Sequence, residues 1–147
     1  MRFSTFATAA VLAVSAFSIA APSAIAQTEI AATASTEASL PAGSFVRKSK
    51  KLQGSWEVVE RDGQTFIRFD DNFRAARGPD LKVFLSPTSI ADVTGDTAIN
   101  GSVLLGELTS TKGGQEYLVP AGVSVSDFES VLVHCEAYAV LWGGGAL

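Results

Sequence analysis

The chain contains only one cysteine and one histidine, and these two residues are adjacent, as His134 and Cys135. A single cysteine cannot form an internal disulfide, so the stability of the domain has to come from packing. A Ser-His-Asp triad would depend on His134, and no GxSxG motif accompanies it. The CxxCH motif that attaches haem covalently is also absent. These absences argue against conventional catalysis and favour a chain that is not a stand-alone enzyme.

Positive charge is scarce as well, with 11 Lys and Arg residues against 15 Asp and Glu residues and a net charge of −4. A protein of this charge has no general attraction for nucleic acid or anionic lipid. The one basic run is VRKSKK at residues 46–51. We interpret it as a solvated strand edge, where lysines discourage pairing with a second sheet. No nucleic-acid partner is expected.

The longest apolar segment follows a basic start at the N-terminus, and a proline ends it short of a membrane span. Ala24 and Ala26 then supply the small side chains that signal peptidase accepts. Residues 1–26 are therefore predicted to be a secretory signal peptide, cleaved after Ala26. The mature chain is expected to be periplasmic or secreted and to have no transmembrane segment. Residues 27–42, rich in Ala, Thr, Ser and Glu, are predicted to be a flexible leader.

From Gly43 onward, short runs of Val, Leu, Ile and Phe are separated by Gly, Asp, Asn and Pro, which is typical of an all-β domain. We predict an antiparallel β-sandwich or jelly-roll-like barrel of roughly seven to nine short strands over residues 43–147. Asp62-Gly63, between SWEVVE and QTFIRF, predicts a tight hairpin because Gly tolerates the positive φ of such turns. A helical turn is expected at residues 127–130.

Residues 131–142 are predicted to be a strand or a strand pair. If the run is extended throughout, Cys135 faces the core, whereas His134 lies on the opposite, mixed face with Glu136. Neighbouring strand residues point to opposite sides, so His134 and Cys135 cannot bind one metal together. His134 is expected to be a surface ion-pair member. For Cys135 two interpretations stay open: a buried structural thiol, as free cysteines often are, or a functional one.

The loop sequence FDDNF contains Asp70 and Asp71, and Asp80 follows a Gly-Pro turn. Loop carboxylates can bind calcium, but the spacing fits no EF-hand. Aspartates also serve turns by bonding to their own backbone. The three aspartates are therefore weak metal candidates. The neighbouring basic residues are expected to pair with them at the surface: Arg68, Arg74, Arg77 and Lys82.

Several blocks follow one another in the sequence: GSF, then FIRFDDNFRAARGPDLKVFLS, then LGELTSTKGGQEYLVP, and finally VLVHCEAYAVLWGGGAL. In this order they closely resemble the DM-thirteen domain, an extracytoplasmic β module named for electron transfer. The resemblance covers residues 43–147 and identifies the chain as similar to bacterial exported members with this domain alone. The residues that match the family motifs are Asn72, Phe73, Gly78, Pro79, Asp80, Gln115, Pro120 and Cys135.

The resemblance implies a redox role for Cys135, either as a bare thiol or as the axial ligand of a prosthetic group such as haem. It also implies a redox or cell-envelope protein as partner, whose identity is unknown. The chain departs from the family pattern after the cysteine, where Glu136 and Ala137 replace a basic and an aromatic residue. The expected function is electron transfer or thiol redox through Cys135. The alternative is a non-catalytic extracytoplasmic binding or structural module with a buried cysteine.

Overall fold

The computed structural model describes residues 40–147, so the predicted signal peptide and nearly all of the predicted leader lie outside the described residues. The all-β prediction is confirmed. The described residues form eleven strands rather than seven to nine, because four of the strands are only two or three residues long and leave little pattern in the sequence. The strands are β1 (Ala42–Ser44), β2 (Val46–Arg47), β3 (Leu52–Gln53), β4 (Ser55–Arg61), β5 (Gln64–Phe69), β6 (Arg74–Ala75), β7 (Leu81–Ser86), β8 (Val103–Glu107), β9 (Gln115–Leu118), β10 (Ser130–Cys135) and β11 (Val140–Ala146).

The strands form two larger antiparallel sheets and one small one. The first has the order β1-β4-β5-β9, the second β2-β11-β10-β7-β8, and the third pairs β3 with β6. Inward-facing apolar side chains of the two larger sheets share one core cluster, so the sandwich prediction is confirmed and the described sheets close no barrel. The centre of this cluster is formed by Trp56, Ile67, Phe69, Phe73, Val83, Leu85, Val131 and Val133.

The predicted hairpin is confirmed between β4 and β5. Its end pair is Arg61 with Gln64, which leaves a two-residue turn. Both turn residues have positive φ, 54° at Asp62 and 73° at Gly63. This left-handed pair matches the right-handed twist of the flanking strands, which is why an Asp-Gly sequence favours the turn.

The basic run at residues 46–51 was predicted to be a strand edge, and its first two residues form one. Val46 and Arg47 form β2, which pairs only with β11 at the border of the second sheet. The lysines that follow are exposed, and the Lys48 ammonium donates a hydrogen bond to the carbonyl of Ala91, 2.9 Å away.

The outer face of the second sheet is also covered, which the sequence did not predict. The connection between β7 and β8, residues 87–102, places apolar side chains against this face and buries a second, smaller cluster. The cluster consists of Phe84, Val93, Ala98, Leu132 and Leu141, with Ile90 packed against it. The mixed surface expected on the far side of β10 is therefore largely a packed interior.

Of the two alternatives for residues 131–142, a single strand or a strand pair, the structure has the strand pair. β10 ends at Cys135, a 3-10 turn occupies Glu136–Tyr138, and Ala139 adopts a left-handed conformation with φ of 51° before β11 begins. Side-chain parity therefore applies only as far as Cys135. The other helical turn is Val125–Asp127, slightly earlier than expected, and no side chain caps it.

Candidate functional site

Cys135 is the last residue of β10, the middle strand of the second sheet. It lies between Leu81 of β7 and Val140 of β11. Its exposed fraction is 0%, and it belongs to the core cluster between the two larger sheets. The prediction that Cys135 faces the core is confirmed.

His134 lies on the opposite side of the same strand, but it is not a surface residue. Its cross-strand neighbours are Lys82 and Leu141, and its ring centroid lies 6.1 Å from that of Phe84 in the outer apolar cluster. Only 1% of its surface is exposed, and within the described residues its Nδ1 atom has no hydrogen-bond partner. The expected surface ion pair is therefore wrong, because residues 87–102 cover this face.

Burial is also the main influence on the charge of this imidazole. Desolvation lowers the pKa of His134, while the carboxylates of Glu136 and Asp80 oppose the shift. The neutral ring is thus the form that the folded protein favours. A neutral, buried histidine under an apolar cover is typical of a packing residue with a latent sensitivity to acid.

The two adjacent side chains point to opposite faces, as parity predicts. Cys135 lies in the core between the sheets and His134 lies on the outer cluster side. Residues 40–147 contain no group of three or more His, Cys, Asp or Glu side chains with the proximity that a metal ion requires. The structure therefore does not bring the pair together as a metal site.

A small ionic cluster stands beside the end of β10. Lys82 forms ion pairs with Glu136 and with Asp80, the latter at 3.3 Å, and these carboxylates hold the pKa of Lys82 above its usual value. The negative residue that follows the cysteine is thus partly neutralised by a lysine on the neighbouring strand. A positive charge is therefore present beside the end of β10 although no basic residue follows Cys135 directly.

Trp142 and the turn before β7 pack beside the end of the strand that carries Cys135. The register of β10 and β11 shifts between Val133 and His134, and Trp142 is the extra residue of this β-bulge. Its indole Nε1 donates a hydrogen bond to the carbonyl of Ala76 at 2.9 Å. A Cβ atom added to Gly78 would lie 2.9 Å from the Trp142 ring and 3.0 Å from Leu81. The exposed Gly78 turn is therefore in direct contact with the side chains that pack around the strand end.

The remaining family-motif residues form hydrogen bonds in turns or pack in the core. The Asn72 side chain accepts a hydrogen bond from the Ser55 backbone at 3.1 Å, and Phe73 is fully buried in the aromatic core. The Gln115 side chain accepts from Ser110 and donates back to it, which closes the turn before β9. The Pro120 carbonyl accepts a hydrogen bond from Val123.

The three candidate metal ligands are also separate in their contacts. Asp70 accepts a hydrogen bond from the Ser55 hydroxyl, Asp71 accepts one from the Gly114 backbone, and Asp80 pairs with Lys82. Each of these contacts stabilises a turn or a strand end.

The expected pairing of the basic residues with these aspartates is wrong except for Lys82. Arg68 binds Glu57 on the neighbouring strand, with an Nε–Oε1 distance of 2.8 Å. Arg74 donates to the backbone carbonyls of Asp71 and Phe73. Cross-strand register decides these pairings, because it places the glutamate and the arginine side by side on the outer face of the first sheet.

Haem ligated by Cys135 does not fit this packing. Such a ligand requires a sizeable apolar pocket that the sulfur atom faces. The thiol is fully buried among core side chains, and five clefts within residues 40–147 are lined by neither Cys135 nor His134. The surroundings of Cys135 are therefore those of a packed core and not those of a haem pocket.

These features define a class of protein: an all-β sandwich that encloses its only thiol at the end of its middle strand. The family model for Electron transfer DM13 matches residues 44–145. The chain belongs to the electron transfer DM13 family, which confirms the resemblance drawn from its sequence. No curated protein and no solved structure is detectably similar to the chain.

Proposed function

We propose that this chain is an exported electron-transfer or thiol-redox module of the DM13 type, with Cys135 as its redox group. The family description supports this function, and Cys135 is the only thiol of the chain. A signal peptide at residues 1–26, a leader at 27–42 and a domain at 43–147 belong to the same proposal. Within residues 40–147, no helix has the length and apolarity to cross a membrane.

The chemistry that one thiol can perform here is exchange with a disulfide of a partner protein. The Cys135 thiolate attacks one sulfur of that disulfide, a new S–S bond forms, and the old S–S bond breaks. The leaving thiolate of this first partner takes up a proton. A thiol of a second partner protein then attacks the Cys135 sulfur and releases the first partner as a dithiol, and another thiol of the second partner frees Cys135 while a disulfide forms in that protein. The chain cannot store the two electrons in an internal disulfide, because it has no second cysteine. One partner with a disulfide and another with a dithiol are therefore required.

Exchange requires that the buried sulfur become accessible for a short time. Cys135 is followed directly by the turn Glu136–Tyr138, all of whose residues are exposed, and by the left-handed Ala139. Turns of this kind open at lower free energy than core strands do. Local opening of this turn is the step that we propose exposes the thiol to a partner.

The second candidate is a non-catalytic extracytoplasmic binding or structural module, and the full burial of Cys135 favours it. In this function the thiol acts as a small apolar side chain within the core. The chain would then bind other envelope components through its surface.

Reaction with glutathione disulfide separates the two functions. We expect native protein to form a mixed disulfide at Cys135, detected by mass spectrometry, and Cys135→Ser to form none. A mixed disulfide that forms only in denaturant would support the structural alternative and refute the redox role. A visible absorption spectrum of the exported protein provides the second readout, because a Soret band would contradict the conclusion that haem does not fit.

A further inference from the structure

A cleft of about 740 Å³ lies on the first sheet, away from Cys135. Its volume falls in the range of small-molecule sites. Apolar side chains that pack against the main core form much of its wall: Leu40, Val58, Val123, Val125, Phe128 and Leu147. The cleft thus offers an apolar surface that is continuous with the core and open to solvent.

The polar groups of the cleft are acidic or neutral. Glu60 and Thr65, which face each other across β4 and β5, line it together with Ser124 and Ser126. The two serine hydroxyls are hydrogen-bonded to each other at 2.8 Å. No lysine or arginine is among the described residues that line it. An anionic ligand would therefore find no charge partner in this cleft.

Glu60 differs from the other glutamates of the first sheet. Glu57 is paired with Arg68, and Glu116 is paired with Arg61 at 3.0 Å. Within the part of the chain that the structure describes, Glu60 has neither an ion-pair nor a hydrogen-bond partner for its side chain. A carboxylate without a counter-charge at an apolar cleft is complementary to a ligand that combines a cation with an apolar body.

We propose that this cleft binds a cationic amphiphile, with the apolar part of the ligand against Val58 and Phe128 and the cationic group beside Glu60. Burial of the apolar part supplies most of the affinity, because apolar area removed from water is the main favourable contribution to such binding. The carboxylate selects the charge of the headgroup and contributes less, because it lies at the exposed edge of the cleft. This site does not depend on the redox role of Cys135.

The test is an NMR titration of the isotope-labelled exported protein with decylammonium and, separately, with decanoate, which has a similar chain and the opposite charge. We expect saturable binding of decylammonium, with shifts concentrated at Val58, Val123 and Phe128, and much weaker binding of decanoate. Glu60→Gln should weaken decylammonium binding by roughly two- to fivefold. Glu107→Gln removes the same charge from the second sheet and should leave the affinity unchanged.

Several results would overturn the proposal. Equal binding of decanoate would remove the charge selection, and equal weakening by Glu60→Gln and Glu107→Gln would indicate general attraction to an acidic protein. Absence of saturable binding would eliminate the site. Binding that appears only after removal of residues 27–39 would indicate that the chain itself occupies the cleft, which also contradicts the proposal.

Discussion

Replacement of Gly145 by alanine tests how the two large sheets approach each other. The added Cβ atom would lie 1.9 Å from the indole Nε1 of Trp56 and 2.8 Å from its Cδ1. Non-bonded heavy atoms prefer separations of about 3.5–4.0 Å, so the ring or the strand has to move by more than an ångström. Trp56 is 2% exposed, and Gly43 packs closely on its ring, so little free space remains. Overpacking of this kind costs about 1–3 kcal/mol, and we expect the upper end.

The assay is urea unfolding followed by circular dichroism for the parent chain, Gly145→Ala, Trp56→Leu and the double variant. Leucine ends at its δ carbons and has no atom at the position of the indole Nε1, so Gly145→Ala should cost less than about 1 kcal/mol in that background, a coupling typical of residues in contact. An equal cost in both backgrounds would show that Trp56 is not the obstacle. A cost below about 0.5 kcal/mol in the parent chain, within the range of neutral surface substitutions, would refute the inferred packing.

Three further predictions follow from the strand that carries the thiol. Cys135→Ser should lower the free energy of unfolding by about 1–3 kcal/mol in a urea titration, because it buries a hydroxyl among apolar side chains; a neutral effect would contradict full burial. Burial lowers the pKa of His134, so the unfolded state binds a proton more readily than the folded state does. The stability contributed by the neutral ring is therefore present above the unfolded pKa of about 6.5, and it is lost as pH falls through the folded pKa. His134→Leu should therefore lose less stability than the parent chain between pH 7.5 and 5. Parallel plots of the free energy of unfolding against pH would show that His134 does not contribute to the pH dependence. Trp142→Phe removes the hydrogen bond to Ala76, worth about 1 kcal/mol, and should raise the rate at which a thiol reagent labels Cys135 in the native protein by roughly fivefold. An unchanged rate would show that Trp142 does not restrict access to the thiol.

The sequence predicted the parts of the fold that local chemistry determines. The hairpin at Asp62-Gly63 follows from the backbone freedom of its turn residues, and the inward direction of Cys135 follows from strand parity. Both properties depend only on residues that are close in the sequence. The family assignment also came from the sequence, because several motif blocks occur in the right order.

The environment of His134 was not predictable in the same way. Its burial depends on residues 87–102, a connection rich in Thr, Asp, Ser and Gly that places Ile90, Val93 and Ala98 over the sheet. The segment contains five Ala, Val and Ile residues, and these were the available signal that it packs against something. The ion pair of Lys82 with Glu136 likewise depends on contact between residues far apart in the sequence, which register determines and composition does not.

The ending of β11 illustrates the same limit. The sequence WGGGA resembles a flexible C-terminal segment, but its glycines are buried. Added Cβ atoms would meet Val46, Val131 or Trp56. Glycine is needed there for close approach of neighbouring strands and of an aromatic ring. The sequence alone does not reveal these close contacts, because they arise only when the two sheets pack together.

The most direct test of the redox function is the dependence of Cys135 labelling on denaturant. Native protein is treated with a thiol reagent at several low urea concentrations, and the labelling rate is compared with the free energy of global unfolding. We predict labelling that is faster than global unfolding allows and nearly independent of urea, as expected for local opening of the turn after Cys135. A rate that matches global unfolding and rises with the full urea dependence of unfolding would contradict a redox role for this thiol.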